Sequence, residues 1–357
     1  MVGQCDRAWV LSDCHGAAFR VVSLYDEVGE GWPGGGEGRP DGEDRWRGRV
    51  VNVLILGAGG VGGYLGCRLM QSGVPVVFLA RGRTVRRLNE NGLRLTSPFG
   101  DWEGEVQAIT AADRPRMAFD LVVLACKTYD LAQAIDDIRP FVGARTKVLP
   151  LLNGVTHMER LVAAFPSAVL GGLAHIMVSV SADGAIVHGN DLHRYRFGAL
   201  PGGDDRVPRD LVDALGQVPI EAGVSAHILD EMWSKFQFIS GFAAVTSLLK
   251  GSAGMIAATE DGADIMREAL AETARIAEAE GFPVSAEHMG SVTALSTERG
   301  SGFTSSLLRD VAAGRRAEGD ALVGDMLRRA RRHSISAPVL RMAWACLQVY
   351  ERDRTRR

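Results

Sequence analysis

The sequence predicts an α/β protein: an N-terminal domain on a largely parallel sheet, then an all-helical C-terminal domain. Three observations carry this expectation. From Val50 onward, short apolar β runs alternate with helical stretches, the pattern of an open sheet covered by helices. A glycine-rich turn joins the first of those strands to the first helix. After about residue 208 the apolar residues instead recur at a 3.6-residue period, with Gly or Pro at the ends of each stretch.

Taken in order, "VVNVLILG" (50–57) is a near-continuous apolar strand, and "AGGVGGYLGCRLMQSG" reads as a turn and a helix ending at Gly73. "PVVFLAR" is the second strand. "GLRLTS", "EVQAIT", "DLVVLACK", "TKVLPLLN" and "VLGGLAHIMVSV" follow as further strands, and "AIVHG" with "YRFGAL" reads as a hairpin closing this half. The helical half holds residues 231–249, "EDGADIMREALAETARIAEAEG", "SLLRDVAAGRRAEGDALVGDMLRRARRHS" and "PVLRMAWACLQVYERD". The expected division is residues 50–220 for the sheet domain and 221–350 for the helical domain, with a cleft between them. Residues 1–49 stand apart. "EVGEGWPGGGEGRPDGEDRWRGR" is crowded with Gly, Pro and charge and cannot repay its ordering entropy. The segment is expected to be a disordered extension or upstream sequence from a wrongly chosen start, the protein then beginning near Val50 or Val51.

Composition narrows the function. With 46% hydrophobic and 23% charged residues, the 357-residue chain has a globular balance long enough for two cores. A formal net charge of −3 gives no electrostatic case for nucleic acid. No apolar run reaches the roughly 20 residues of a membrane helix, and the opening residues lack signal-peptide regions. Five cysteines without a CxxC pair argue against a disulfide framework or zinc site and for a cytoplasmic setting. No metal-ligand spacing is present among the eight histidines, and His188 and His193, flanking "GND", are expected in a loop with a structural role.

"LILGAGGVGGYLG" supplies G-x-G-x-x-G as Gly57, Gly59 and Gly62, after a strand and at the mouth of a helix. The first glycine allows the turn, the second lets backbone approach a pyrophosphate, and the third lets helix and strand pack closely. Free N–H groups at the helix start, around Gly60 and Val61, then face the phosphates. This is a Rossmann-like dinucleotide site. The second strand ends in "FLARGR", with Ala80, Arg81 and Arg83 and no acid. A carboxylate there would bond a ribose 2′-hydroxyl, whereas a guanidinium pairs with a 2′-phosphate, so NADPH is the expected cofactor.

"EMWSKFQFISGFAAVTSLL" (231–249) is an apolar helix with one cation, Lys235, and an unpaired buried ammonium is costly. The motifs "GAGGVGGYLG", "ARGRTVRRLNENGLRL", "ACKTYD", "LLNGV", "WSKF" and "FTSSLLRDVAAGRRAEGDAL" resemble the ketopantoate reductase (2-dehydropantoate 2-reductase) family over roughly residues 51–350. The resemblance implies hydride delivery from NADPH to the C2 carbonyl of a 2-oxo acid in pantothenate biosynthesis. It makes Lys235 the general acid, with Glu318 facing it as the active-site glutamate and Asn153 beside the nicotinamide and the reacting carbonyl. It also implies Lys127 on the cofactor side and Ser306 on the substrate carboxylate. Desolvation is the physical means of bringing a lysine toward its working pH.

One departure stands out. The family typically carries asparagines four and eight residues beyond its lysine; here those positions are Ile239 and Ala243, in register because Thr246 falls where the family has threonine. Positions i, i+4 and i+8 share one helix face, drifting about 40° per step. The substrate-reading amides are replaced by methyl groups, which removes their hydrogen-bond discrimination. Three readings follow: reduction of ketopantoate through other contacts, reduction of a more apolar 2-oxo acid or ketone, or a non-catalytic NADPH sensor. The expected partner is a small 2-oxo acid, and a homodimer is the assembly considered, without a pattern that specifies it.

Overall fold

The computed structural model describes residues 9–12, 18–21, 52–113 and 118–356. Within the N-terminal extension, β1 (Trp9–Ser12) and β2 (Ala18–Val21) pair antiparallel. The remainder of the extension, on which the expectation for residues 1–49 chiefly rests, lies outside the described residues.

The N-terminal domain runs through β3 (Val53–Leu56), α1 (Gly60–Gln71), β4 (Val76–Leu79), α2 (Gly82–Asn91), β5 (Leu93–Thr96), β6 (Trp102–Gly104) and β7 (Gln107–Ile109). It continues with β8 (Leu121–Leu124), α3 (Leu131–Ile138), β9 (Lys147–Pro150), α4 (Thr156–Ala164), β10 (Leu170–Val180), β11 (Ile186–Ala199), α5 (Arg206–Leu215) and β12 (Glu221–Val224). Strands β3, β4 and β8 are buried at every position, which is why they read as unbroken apolar runs. They form the middle of a five-stranded sheet, β7-β4-β3-β8-β9, with every pairing parallel. Gly57, Lys127 and Asn153 follow β3, β8 and β9, so all three lie beyond the carboxyl ends of the strands, where open α/β sheets bind ligands.

A second five-stranded sheet, which the sequence did not separate from the first, has the order β10-β11-β5-β6, with β12 beside β11. The expected hairpin is corrected here: "AIVHG" and "YRFGAL" belong to one strand, β11, whose antiparallel partner is β10. The register shifts between Ile176 and Val178, opposite the segment between His188 and His193. The polar "GND" stretch is therefore an irregularity inside a strand, and the partner strand supplies the pairing that composition alone suggested was absent. Neither histidine lies in a loop. His188 is buried, with Nδ1 3.0 Å from Ser97 Oγ, and His193 stacks on Phe99 with its Nδ1 3.2 Å from the Tyr64 hydroxyl. Pairing of β12 with β11 also carries the sheet four residues beyond the boundary expected at 220.

The helical domain comprises α6 (Ile228–Leu249), α7 (Ala253–Ala257), α8 (Gly262–Ala279), α9 (Ala286–Thr297), α10 (Ser306–Ala312), α11 (Asp325–Arg332) and α12 (Pro338–Arg354). Helix α6 is apolar on nearly every side because other helices surround it. Its buried Gln237 donates to the Leu270 carbonyl and to Thr273 Oγ1, both at 3.0 Å, tying α6 to α8. Buried Arg329 on α11 bonds Asp325 at 2.8 Å and Glu280, and lies 5.0 Å over the Trp233 ring of α6. The stretch 306–334 is not one helix. It stops after Ala312, turns through Gly314 at φ +68°, and resumes as a π turn over Asp320–Gly324. That break places Glu318 at the head of the π turn, a feature frequent at functional sites.

Candidate active site

A cavity of about 430 Å³ lies between the two domains, reached from the glycine turn, the ends of β8 and β9, strand β10 and one face of α6. Its cofactor wall begins at the glycine turn. Gly57 holds φ +103°, and a Cβ there would sit 2.8 Å from the Ala125 carbonyl. A Cβ on Gly62 would stand 2.1 Å from the Gly57 carbonyl oxygen, so the turn and the helix can meet only without one. Gly59 is different: nothing lies within 4 Å of where its Cβ would be. Gly59 is also the N-cap of α1, with no side-chain cap and no acid in the first turn. Open space beside uncapped N–H groups is the cradle a pyrophosphate needs, so these residues fit a dinucleotide. Gly59, Gly60 and Val61 all line the cavity.

Arg81 lies at the end of β4 as the N-cap of α2, three-quarters exposed, with Nη2 3.1 Å from Asp130. Arg83 is exposed as well. Neither reaches the cavity itself.

Both lysines read from the sequence line the cavity, together with Asn153, Glu318, Ser306, Ile239 and Ala243. The pairing differs from expectation. Glu318, 6% exposed, accepts from Lys127 Nζ at 2.9 Å and from the Thr128 N–H and hydroxyl at 2.9 and 3.0 Å. Lys127 also reaches Asp310 at 3.3 Å. Lys235 instead donates to the Ala174 carbonyl of β10 at 2.7 Å. The glutamate thus compensates the cofactor-side lysine because Thr128, next to that lysine, supplies it with two further donors. Glu318, expected to face Lys235, hydrogen-bonds Lys127 and Thr128 and acts on Lys235 through its charge.

The electrostatic consequences diverge. For Lys127 burial alone favours the neutral amine, but the Glu318 and Asp310 carboxylates outweigh it and raise its pKa. For Lys235 burial dominates and lowers the pKa to about 8, with the Glu318 charge only partly opposing. An amine in that range exchanges protons readily near neutral pH.

Ser306 is the exposed first residue of α10, and its neighbour Ser305 is the N-cap, accepting from the Leu308 N–H at 3.0 Å. Ser305 also lies 2.8 Å from Thr246 Oγ1, pinning the start of α10 to α6. Sequence reasoning missed Thr128, Ala174, Ser305, Arg309, Phe238, Phe242 and Phe303. Two of these were within reach: Phe238 and Phe242 stand three and seven residues beyond Lys235, on the same helix stripe as Ile239 and Ala243. The others approach from distant segments and carried no local signal.

A dinucleotide cradle on a parallel sheet, facing a lysine held by a helical domain, defines a two-domain oxidoreductase acting on a carbonyl or alcohol. The chain belongs to the ketopantoate reductase family: the model described as ketopantoate reductase PanE/ApbA matches residues 53–202, and its C-terminal counterpart matches 227–351. The chain is 36% identical over 309 residues to the uncharacterized oxidoreductase YkpB of Bacillus subtilis, spanning 85% of this chain and 100% of the relative. It is 28% identical to the 2-dehydropantoate 2-reductase of Halobacterium salinarum, over 85% of this chain and 100% of that one. The crystal structure of 2-dehydropantoate 2-reductase from Methylococcus capsulatus superposes with a TM-score of 0.76 at 25% identity, covering 85% of this chain and 98% of the other.

Proposed function

We propose that the protein uses NADPH to reduce the C2 carbonyl of a 2-oxo acid to the 2-hydroxy acid, with Lys235 as the proton donor. The observation that carries this reading is the placement of Lys235, its pKa lowered to about 8, in the same cavity as the glycine turn. The cofactor, when bound, supplies the hydride. As the carbonyl oxygen gains negative charge, Lys235 stabilises it and transfers a proton to it. The Ala174 carbonyl aims the ammonium, and the Glu318 charge keeps it protonated to higher pH than burial alone permits. Asn153, Lys127 and Glu318 then border the nicotinamide side, and Ser306 the substrate side. Preference for NADPH rests on Arg81 and on the lack of an acid at the end of β4; an exposed pair such as Arg81–Asp130 is weak enough to yield to a 2′-phosphate.

Ketopantoate is the first substrate to test, because curated relatives carry that activity in their names. A second reading, a more apolar 2-oxo acid, is favoured by Ile239 and Ala243, which bring no hydrogen-bonding side chain to the cavity. A non-catalytic NADPH sensor would need the glycine turn but not an amine poised near neutral pH. Following NADPH oxidation with ketopantoate and a panel of 2-oxo acids separates the readings. Turnover of any of them supports the reductase; tight NADPH binding with no turnover leaves the sensor in its place.

A further inference from the structure

The substrate end of the cavity has a composition that the reductase reading does not by itself explain. Along α6 the stripe that starts with Lys235 continues as Phe238, Ile239, Phe242 and Ala243, all lining the cavity. Phe303, from the segment before α10, joins them. Its ring lies 4.6 Å from that of Phe242 with 21° between planes, and 6.4 Å from that of Phe238 with 11° between planes. Phe238 and Phe242 are themselves 5.6 Å apart. Three rings whose planes lie within 30° of one another, with Ile239 alongside, make an apolar wall suited to a flat group, since aromatic rings gain from offset stacking beyond the area they bury.

The same cavity holds a cation with no ion-pair partner among the described residues. Arg309 lines it from α10, one turn beyond Ser305 and Ser306. Among the described residues no acidic oxygen lies within 4 Å of its guanidinium. The adjacent Asp310 is drawn away, 3.3 Å from Lys127 and 2.8 Å from Arg315. Arg309 is an exposed residue by its accessible surface, yet the protein around its guanidinium lowers its pKa, with the Asp310 charge partly opposing. Lys127 is matched by two carboxylates, so the cations left for a ligand are Lys235 and Arg309.

Two unmatched cations and an aromatic wall match three parts of one molecule. We infer that Arg309 receives the substrate's carboxylate, that Lys235 faces its carbonyl, and that Phe238, Phe242 and Phe303 hold an aromatic side chain. The substrate class is then the aryl 2-oxo acids. This deepens the reductase reading and rests on it. A guanidinium suits the role because its fork matches a carboxylate bidentately.

The test compares the full-length enzyme with its Arg309→Gln and Arg309→Lys variants, using phenylglyoxylate, phenylpyruvate, ketopantoate and acetophenone. The wild type should prefer the aryl 2-oxo acids to ketopantoate, and phenylglyoxylate to acetophenone, which has the ring and carbonyl but no carboxylate. Arg309→Gln should raise KM for phenylglyoxylate roughly 10- to 100-fold, the loss of a hydrogen bond to a charged group, with kcat little changed. The preference over acetophenone should collapse, and Arg309→Lys should recover part of it. Mandelate should raise the melting temperature of the wild type but not of Arg309→Gln, a readout independent of turnover. A KM that stays within about twofold in Arg309→Gln overturns the carboxylate assignment. Ketopantoate as the best substrate overturns the aryl class while leaving the reductase intact. Failure of every 2-oxo acid, with NADPH still bound, overturns the reductase reading itself.

Discussion

Lys127 and Lys235 line the same cavity, yet burial acts on them to different ends. Lys127 arrives on the loop after β8 with Glu318 and Asp310 within 3.3 Å, and its charge is locked in place. Lys235 arrives on an apolar helix and finds a backbone carbonyl, which orients an ammonium but carries no full charge to hold its proton. An ion pair makes the first lysine a fixed positive charge at the cofactor wall. Its absence leaves the second with a lowered proton affinity, the property the proposed donor requires. Identical side chains acquire separate tasks because one wall offers carboxylates and the other offers methyl groups and rings.

The largest way to break this comparison is Lys235→Ala. If Lys235 is the donor, kcat should fall by roughly 10² to 10⁴, with NADPH affinity retained in a fluorescence titration. An unchanged kcat would move the acid elsewhere. Next comes the pH profile. The donor must be protonated, so kcat/KM should decline about tenfold per pH unit above the pKa near 8. Glu318 raises the pKa of Lys235, so Glu318→Gln should shift that descending limb to lower pH. A profile that is flat to pH 10, or a limb unmoved by Glu318→Gln, would detach the lysine from it. A smaller effect is expected from Ile239→Asn, which puts an amide on the wall: the ratio of kcat/KM for ketopantoate to that for an apolar 2-oxo acid should rise about tenfold. No change in that ratio would mean this face does not read the substrate. The smallest effect falls on stability. Lys127→Ala leaves Glu318 buried with its Thr128 bonds but without its cation, for a loss of about 1–3 kcal/mol read as a drop in melting temperature. An unshifted melting temperature would show the pair to be as weak as a surface one.

How much of this was legible beforehand depends on where each signal lies. The strands of the parallel sheet were readable because burial on both faces leaves unbroken runs such as Val53–Leu56 and Leu121–Leu124. Strand β11 was split in reading because Asn190 and Asp191 imitate a turn, and only β10, hydrogen-bonded across the irregularity, reveals one strand. The long stretch 306–334 kept a helical period while Gly314 broke it, since periodicity registers apolar spacing and not a single left-handed residue. Lys235, Lys127, Glu318, Asn153 and Ser306 were found through their motifs and do share one cavity. Which lysine Glu318 serves was not legible, because Lys127 and Glu318 are 191 residues apart and no pattern encodes a pairing of that range.

The sequence by itself determined the buried strands of the parallel sheet, the glycine turn that only residues without a Cβ can make, and the apolar face that follows Lys235. These are local properties: they depend on neighbours within a few residues and on steric limits of the backbone. The tertiary structure alone decided that Glu318 holds Lys127, that Ala174 receives Lys235, and that Phe303 stacks on the rings of α6. It also left Arg309 without an acid by drawing Asp310 toward Lys127 and Arg315. Charge and proton affinity depend on distances through space, and those distances exist only once the two domains have closed on a common cavity.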